Sequence, residues 1–381
     1  MAFNLHKFAR NRRGQVRGID FALAMLIFII AFSQIIIVLS NLLIPSLVQM
    51  ETYSQEQDLD TLYSNIFYSQ GYPTNWGSRG ISYLSDFRVG LLGNQESLDF
   101  TKINRLTSGI MDFWQIDYIK TKTSFALIQD FALEIYSPIT ISLNSVQIAF
   151  DKITINGMVT EYQTPIKDAD VWVFSIDANN NVALNYTQTK DISGVVSFKS
   201  VINVNTTGYY SIVAFAQVGG IYQDYTVLRM EKEASGLEYF QSEFVLNPFV
   251  RENTASKTSA VDISVARTQL SDEAQAFVLF PYGDIDITHR TTSLAQVNNN
   301  EGQIYLAENI PAPADGVAVV VVQEREGTEY RAGFIGIPMF LTENLGGTYG
   351  PISQMPESSY ISVTHILMVR NVLVKCQMWY W

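Results

Sequence analysis

The sequence predicts a mainly β (α+β) protein, with an N-terminal transmembrane helix continuing into an amphipathic stalk and then antiparallel β-sandwich domains. Three observations lead there. Residues 21–39 contain only Ser33 and Gln34 as polar residues, and extending the run to residue 44 adds only Ser40 and Asn41. The next two dozen residues keep apolar positions at three- and four-residue steps, the period of a helix face. From residue 151 onward, short alternating runs separated by Gly, Pro and Asn turns dominate, the pattern of half-buried antiparallel strands.

The opening stretch, "RNRRGQVRGIDFALAMLIFIIAFSQIIIVLSNLL", fits three fates: a removed export signal, a retained anchor, or the assembly helix of a filament. A helix rising about 1.5 Å per residue crosses a hydrocarbon core of roughly 30 Å with about 20 residues, so the run is long enough. A secretory signal has a shorter apolar region and a small-residue cleavage site; no such site follows here. Retention is therefore the preferred reading. Lys7, Arg10, Arg12, Arg13 and Arg17 precede the run, and Glu51, Glu56, Asp58 and Asp60 follow it. By the positive-inside rule the N-terminus is cytoplasmic and the body extracytoplasmic. "VAVVVV" at 317–322 is bounded by Asp315 and Glu324 and is expected as a buried strand.

Charge and rare residues exclude several functions. Removing the five bases and Asp20 from totals of 25 and 37 leaves 20 basic and 36 acidic residues, a net of −16. Such a body repels phosphate backbones, so nucleic acid is not an expected partner. Cys376 is the single cysteine, so no intrachain disulfide can form. His6, His289 and His365 lie far apart, too few ligands for a zinc site of the His/Cys kind. No catalytic, metal or cofactor-binding residues are expected.

The stalk, through Leu47, Met50, Leu59, Leu62, Ile66 and Phe67, starts with a kink or fresh first turn at Pro45 and ends at Gly71 and Pro73. A loop pinned by Trp76 follows, then a brief strand at Val89-Gly90-Leu91 and a short helix with Asp99 as its N-cap.

At these residues a family resemblance emerges. "RRGQV" ahead of a long apolar helix resembles the leader of archaeal type IV pilin-like membrane-anchored surface proteins. The order Pro73-x-x-Trp76, Gly90-Leu91, Leu98-Asp99-x-x-Lys102 resembles the segment after the anchor helix in that group, and residues 116–135 its closing helix and first long strand. The resemblance implies cleavage between Gly14 and Gln15 by a pilin-type peptidase, with Asp20 as the helix-assembly charge that offsets a neighbouring subunit's amino terminus. It departs from the family pattern in that Asp20 would be sixth, not fifth, and Arg17 and Gly18 interrupt the apolar start. A charge buried in a filament core costs several kcal/mol unless paired, so Arg17 opposes tight bundling.

Residues 151–247 resemble the carboxypeptidase-regulatory or transthyretin-like β-sandwich, through Gly157-x-Val159, Pro165-Ile166-x-x-Ala169-x-Val171, Asp191-x-x-Gly194-x-Val196-x-Phe198 and Gly208-Tyr209-Tyr210. Members are non-catalytic spacer or adhesive modules. The expected order is a basic cytoplasmic leader at 1–18, the transmembrane helix at 19–44, the stalk at 45–70 and the first part of a pilin-like α+β body at 71–150. The sandwich at 151–247 and a β-rich C-terminal part at 248–381 follow, with the sandwich inserted into the body. In the last part, a hairpin is expected at residues 325–328 and a final strand reaching Trp381.

The remaining candidates are weaker. Asp284, Asp286 and His289 share "YGDIDITH", where a solvated strand face competes with acid–base chemistry. Asp177, Asn179 and Asn181 have the alternate spacing of a calcium loop, yet Val182 stands where Gly is wanted and Gln188 where Glu is; turn formation is expected instead. Asn185 and Asn205 open N-glycosylation sequons. Trp172, Tyr209, Tyr210 and Tyr222 would form either a sugar-stacking face or core and cross-strand packing, and packing is expected.

The function these readings predict is a non-catalytic, single-pass surface protein with a structural or adhesive role, partnered by the lipid bilayer. A filament or pseudopilin subunit, partnered by the peptidase and by other copies or surface-layer proteins, is the alternative. A surface glycan-binding protein is the second alternative.

Overall fold

The computed structural model describes residues 5–78, 86–93, 96–106, 116–149, 151–203, 208–232, 246, 248–252, 260–266, 274–281, 289–299, 302–326, 329–341, 348–357 and 359–381. Two compact units divide the chain, Met1–Asp58 and Leu59–Trp381.

Helix α1 (Leu5–Phe67) has 63 residues. In the first unit the large apolar side chains from Phe21 to Leu47 are all exposed. The stretch Asp20–Phe67 contains a segment long and apolar enough to cross a membrane. Pro45 lies inside the helix and does not start a new one, so the expected fresh first turn is absent. In the second unit Leu59, Leu62, Tyr63, Ile66 and Phe67 are buried.

The second unit is built of strands. Short helices α2 (Phe100–Asn104) and α3 (Tyr118–Ser124) start at Asp99 and Asp117, whose carboxylates accept main-chain N–H groups as N-caps. Then come β1 (Phe131–Tyr136), β2 (Ile139–Ile148), β3 (Lys152–Glu161), β4 (Thr164–Pro165), β5 (Asp170–Asp177), β6 (Val182–Gln188), β7 (Lys190–Ile192), β8 (Val195–Asn203), β9 (Gly208–Val218) and β10 (Tyr222–Lys232). Further on lie β11 (Phe249–Glu252), β12 (Ala260–Ala266), β13 (Gln275–Leu279), β14 (His289–Ser293), β15 (Ala295–Asn299) and β16 (Gly302–Pro311). β17 (Ala318–Glu326), β18 (Glu329–Ile337), β19 (Ile361–Val369) and β20 (Val372–Tyr380) complete the chain. Among the described residues every strand pairing is antiparallel.

Two sheets face each other across one core: β2-β3-β8-β7, with β4 on β3, and β10-β9-β5-β6. Their inward residues, among them Ile141, Ile155, Val159, Val171, Phe198, Ile212 and Met230, form a separate buried cluster. This core begins at Ile139, ahead of residue 151, because the alternation of β2 already supplies inward apolar positions. Its first hairpin turns at Tyr162 and Gln163, both at positive φ, just before the Thr164-Pro165 position expected from sequence. The sheet β10-β9-β5-β6 is buried on both faces, since Trp172, Phe174, Val213, Phe215 and Tyr225 belong to the larger core.

That larger core is walled by β11-β12-β16-β15, β14-β13-β17-β18 and the three-stranded sheet β1-β20-β19. Residues 317–322 are buried as expected. β17 and β18 pair antiparallel out to Glu326 and Glu329; residues 327–328 of the expected hairpin lie outside the described residues. β1 lies ahead of the two-sheet core in sequence and β20 far after it, yet β1 pairs with β20 along the whole length of β1. Trp381 exchanges both main-chain hydrogen bonds with Asp130, at 2.9 and 3.0 Å. The expected strand at residues 89–91 is not a ladder: among the described residues the region makes isolated bridges, Tyr72 with Arg88 and Leu92 with Leu98.

Close packing of β10 against β18 within the larger core needs glycine at one point. A Cβ at Gly336 of β18 would collide with the phenol ring and hydroxyl of buried Tyr225 on β10. Gly336→Ala must therefore displace that ring, and overpacking of this kind costs about 1–3 kcal/mol. A lowered unfolding midpoint of the full chain in detergent, with unchanged secondary structure by circular dichroism, is the expected result.

Candidate functional site

The end of α1 is locked by the segment that sequence order singled out. Main-chain N–H groups of Leu91 and Leu92 donate to the carbonyls of Ile66 (2.6 Å), one of the helix's last acceptors, and of Ser69 just beyond it (3.0 Å). Gly71 has φ +70°, which an L side chain rarely adopts, and faces Gly90 so closely that a Cβ on either would strike the other's main chain. Trp76 is fully buried and donates its indole N–H to the Gly90 carbonyl at 3.0 Å.

The polar groups of this lock come from α2. Lys102 is buried, and its ammonium donates to the carbonyls of Gln70 (2.9 Å) and Leu92 (2.8 Å). Burial lowers its pKa, partly opposed by the Asp99 carboxylate. Burial likewise raises Asp99, opposed by Lys102 and by the N–H groups it caps. Arg105, also buried, donates to the Trp76 carbonyl and lies 5.6 Å from the centre of that indole ring. Asn104 bonds outward to the Val250 carbonyl (3.3 Å) and accepts from the Met339 N–H (3.1 Å). Thr101 accepts from the Glu252 N–H at 3.1 Å. One five-residue helix thus joins the end of α1 to β11 and to the chain leaving β18. Leu98-Asp99-x-x-Lys102 was readable from the sequence; the burial of Lys102 and Arg105 was not.

The other sequence candidates are dispersed. Gly14 and Gln15 lie within α1, and Asp20 is exposed. Asn185 is on β6, and its side-chain amide donates to the Val201 carbonyl of β8 at 2.8 Å; Asn205 lies outside the described residues. The Asp177 carboxylate is occupied by the turn it organises, accepting from the Asn179 and Asn181 N–H groups (2.8 Å each) and from the Asn181 amide (2.9 Å). Asp284 and Asp286 fall outside the described residues, and His289 begins β14. Trp172 and Tyr210 are buried, half-buried Tyr209 stacks on Tyr330 with ring centres 4.9 Å apart, and half-buried Tyr222 packs against the inner core. Among the described residues no group of three or more His, Cys, Asp or Glu is placed to hold a metal.

One group went unnoticed in the sequence. Asp224, on β10, is buried beside a cleft of about 580 Å³ lined by residues of β2 and β10, by Tyr136 and by Phe340. Its carboxylate accepts the Ile141 N–H of β2 at 2.8 Å, joining the edges of the two facing sheets. Tyr222, Leu228 and Met230 pack into the same inner core, so an acid at the inward step between them was the available signal. Burial pushes its pKa up to about 7, partly offset by main-chain N–H groups of Ile141 and Tyr225.

No family model matches the chain, and no curated protein matches it. Among solved structures it is similar in part to red sea bream transglutaminase, at 9% identity over 52% of this chain and 31% of that one, TM-score 0.19. It is also similar in part to human GIVD cytosolic phospholipase A2, at 11% identity over 66% and 32%, TM-score 0.14. The chain spans about a third of the length of each, and likenesses this slight bear on neither fold nor chemistry.

Asp224 makes stability depend on pH in a defined sense. A carboxyl group whose folded pKa exceeds its unfolded value of 3.8 binds more protons in the folded state, so stability falls as pH rises from about 4 through about 7. Each pKa unit of displacement is worth roughly 1.4 kcal/mol. Asp224→Asn keeps an acceptor for Ile141 and removes the charge. Thermal melts between pH 5 and 8 should show a flatter profile for the variant, and a higher midpoint than wild type at pH 8.

Proposed function

We propose that this chain is a single-pass, membrane-anchored surface protein with a structural or adhesive role and no catalytic activity. The observation that carries this reading is α1, whose large apolar side chains from Phe21 to Leu47 are all exposed. Such a surface is stable in hydrocarbon and costly in water, at about 25 cal/mol per Å². The cluster of bases before it and acids after it orients the N-terminus to the cytoplasm and the β-rich body outward. In an extracytoplasmic body Asn185 and Asn205 become acceptors for N-linked glycan.

The filament reading has its own support. The Pro73-x-x-Trp76, Gly90-Leu91 and Leu98-Asp99-x-x-Lys102 residues make up the lock around the end of α1. They are the residues that resemble the pilin-like segment. Arg17 weighs against it. A glycan-binding role has less support, since Trp172 and Tyr210 are buried and the Tyr209 ring is stacked on Tyr330; binding on a glycan array would revive it.

The N-terminal sequence of protein purified from its own membranes separates the first two. An intact start at Met1 or Ala2 is expected for a plain anchor. A start at Gln15 would make cleavage by a pilin-type peptidase, and filament or pseudopilin assembly, the better account. A start beyond residue 44 would contradict both.

A further inference from the structure

We propose that the outer edge of β19, at residues 362–366, pairs antiparallel with the same strand of a second copy of this chain.

The edges of the described sheets differ sharply in how they are protected. On β1, Leu133 and Ile135 pair outward with Tyr349 and Leu341. On β2, the Ile139 and Ile141 N–H groups are taken by Ser137 and Asp224, and a bulge follows between Leu143 and Ser145. β10 carries Asp224, Arg229, Glu231 and Lys232. β6 is tied to β8 through Asn185, and β18 accepts the Leu246 N–H at Ala332. β7, β11, β14 and β15 have three to five residues each. Covering, charge, bulges and shortness are the usual means of stopping edge-to-edge pairing.

β19 has none of these over most of its length. It runs for nine residues, "ISVTHILMV", with no Asp, Glu, Lys, Arg or Pro, and pairs with β20 without a register shift. The Arg370-Asn371 turn, with φ of 50° and 60°, closes the hairpin at Val369 and Val372. In a two-residue hairpin that closing pair exchanges hydrogen bonds, and the exchange recurs at every second residue. The N–H and C=O groups of Ser362, Thr364, Ile366 and Met368 therefore point away from β20. The Met368 carbonyl confirms this geometry by accepting the Leu98 N–H at 2.8 Å. Ser362, Thr364 and Ile366 are exposed and leave an uncharged strip free.

A second copy suits this strip through charge and symmetry. The chain carries a formal net charge of −12, so copies approaching through acidic surfaces repel. An uncharged strand avoids that cost. An antiparallel pair about a two-fold axis at Thr364 sets Ser362 opposite Ile366 twice and forms about six main-chain hydrogen bonds. The result is one continuous six-stranded sheet, the strand-addition mode of recognition.

The test uses full-length protein in detergent, with single cysteines added; native Cys376 is fully buried. At a two-fold Thr364 pair the Cα atoms would lie about 5.5 Å apart, within the roughly 4.4–6.8 Å that a disulfide spans. Ser362 would stand about 14 Å from its own counterpart, four residues along and one strand across. Mild oxidation should cross-link Thr364→Cys into a dimer at least tenfold faster than Ser362→Cys, and Thr364→Lys should lower the dimer fraction in sedimentation at least tenfold. Equal cross-linking at both positions, none at 364, cross-linking of 364 to a different protein, or an unchanged dimer fraction for Thr364→Lys would each overturn the proposal.

Discussion

The second unit depends on how the main-chain carbonyls that meet just past the end of α1 are satisfied by the buried Lys102. A buried acceptor without a partner costs about 1–3 kcal/mol, and here Gln70 and Leu92 present two to the Lys102 ammonium. A cation is held in the core by those carbonyls and by Asp99 nearby. Removing the lysine would leave the carbonyls bare, and removing Asp99 would leave the cation without its neighbouring charge. The glycine pair Gly71 and Gly90, the Trp76 indole and the Arg105 guanidinium close around the same point. Because Asn104 and Thr101 extend from the same helix to Met339, Val250 and Glu252, the lock also sets where the later sheets begin.

Asp224 does related work between the two facing sheets, with the opposite charge. A strand edge exposes N–H groups that water or another strand must satisfy. At Ile141 a carboxylate from the facing sheet does so. The energetic consequence is a pH-sensitive seam. Two buried ionisable groups thus hold junctions in a body that has no disulfide to share the strain, its single Cys376 being buried and unpaired.

Much of the fold was legible in the sequence. The apolar run before Pro45, the Asp99 cap, the buried Val317–Val322 stretch and the last strand each follow from a local pattern of period or capping. The misses have physical reasons as well. Val89-Gly90-Leu91 reads as a strand because its residues are apolar, yet Gly90 is there to let two main chains touch. The turn between β3 and β4 falls on Tyr162 and Gln163, which take the positive φ that a two-residue hairpin requires although neither is Gly, Asn or Asp, so their residue types gave no turn signal. Buried Lys102, Arg105 and Asp224 sit in runs whose local polarity looks ordinary; only long-range packing shows where they point. For the candidate site, the lock residues were visible as an ordered motif, whereas their partners on β11 and after β18 lie more than a hundred residues away in sequence.

The central claim is that α1 anchors the chain and the body faces outward. Accessibility of two single cysteines to a membrane-impermeant maleimide on intact cells tests it most directly, with Cys376 buried and silent. Tyr162, 76% exposed at a hairpin turn, would be replaced in one variant and His6 in the other. Labelling of Tyr162→Cys on intact cells, with His6→Cys labelled only after permeabilisation, is the result this account predicts. Labelling of His6→Cys from outside with Tyr162→Cys protected, or of neither until the cells are opened, would contradict it.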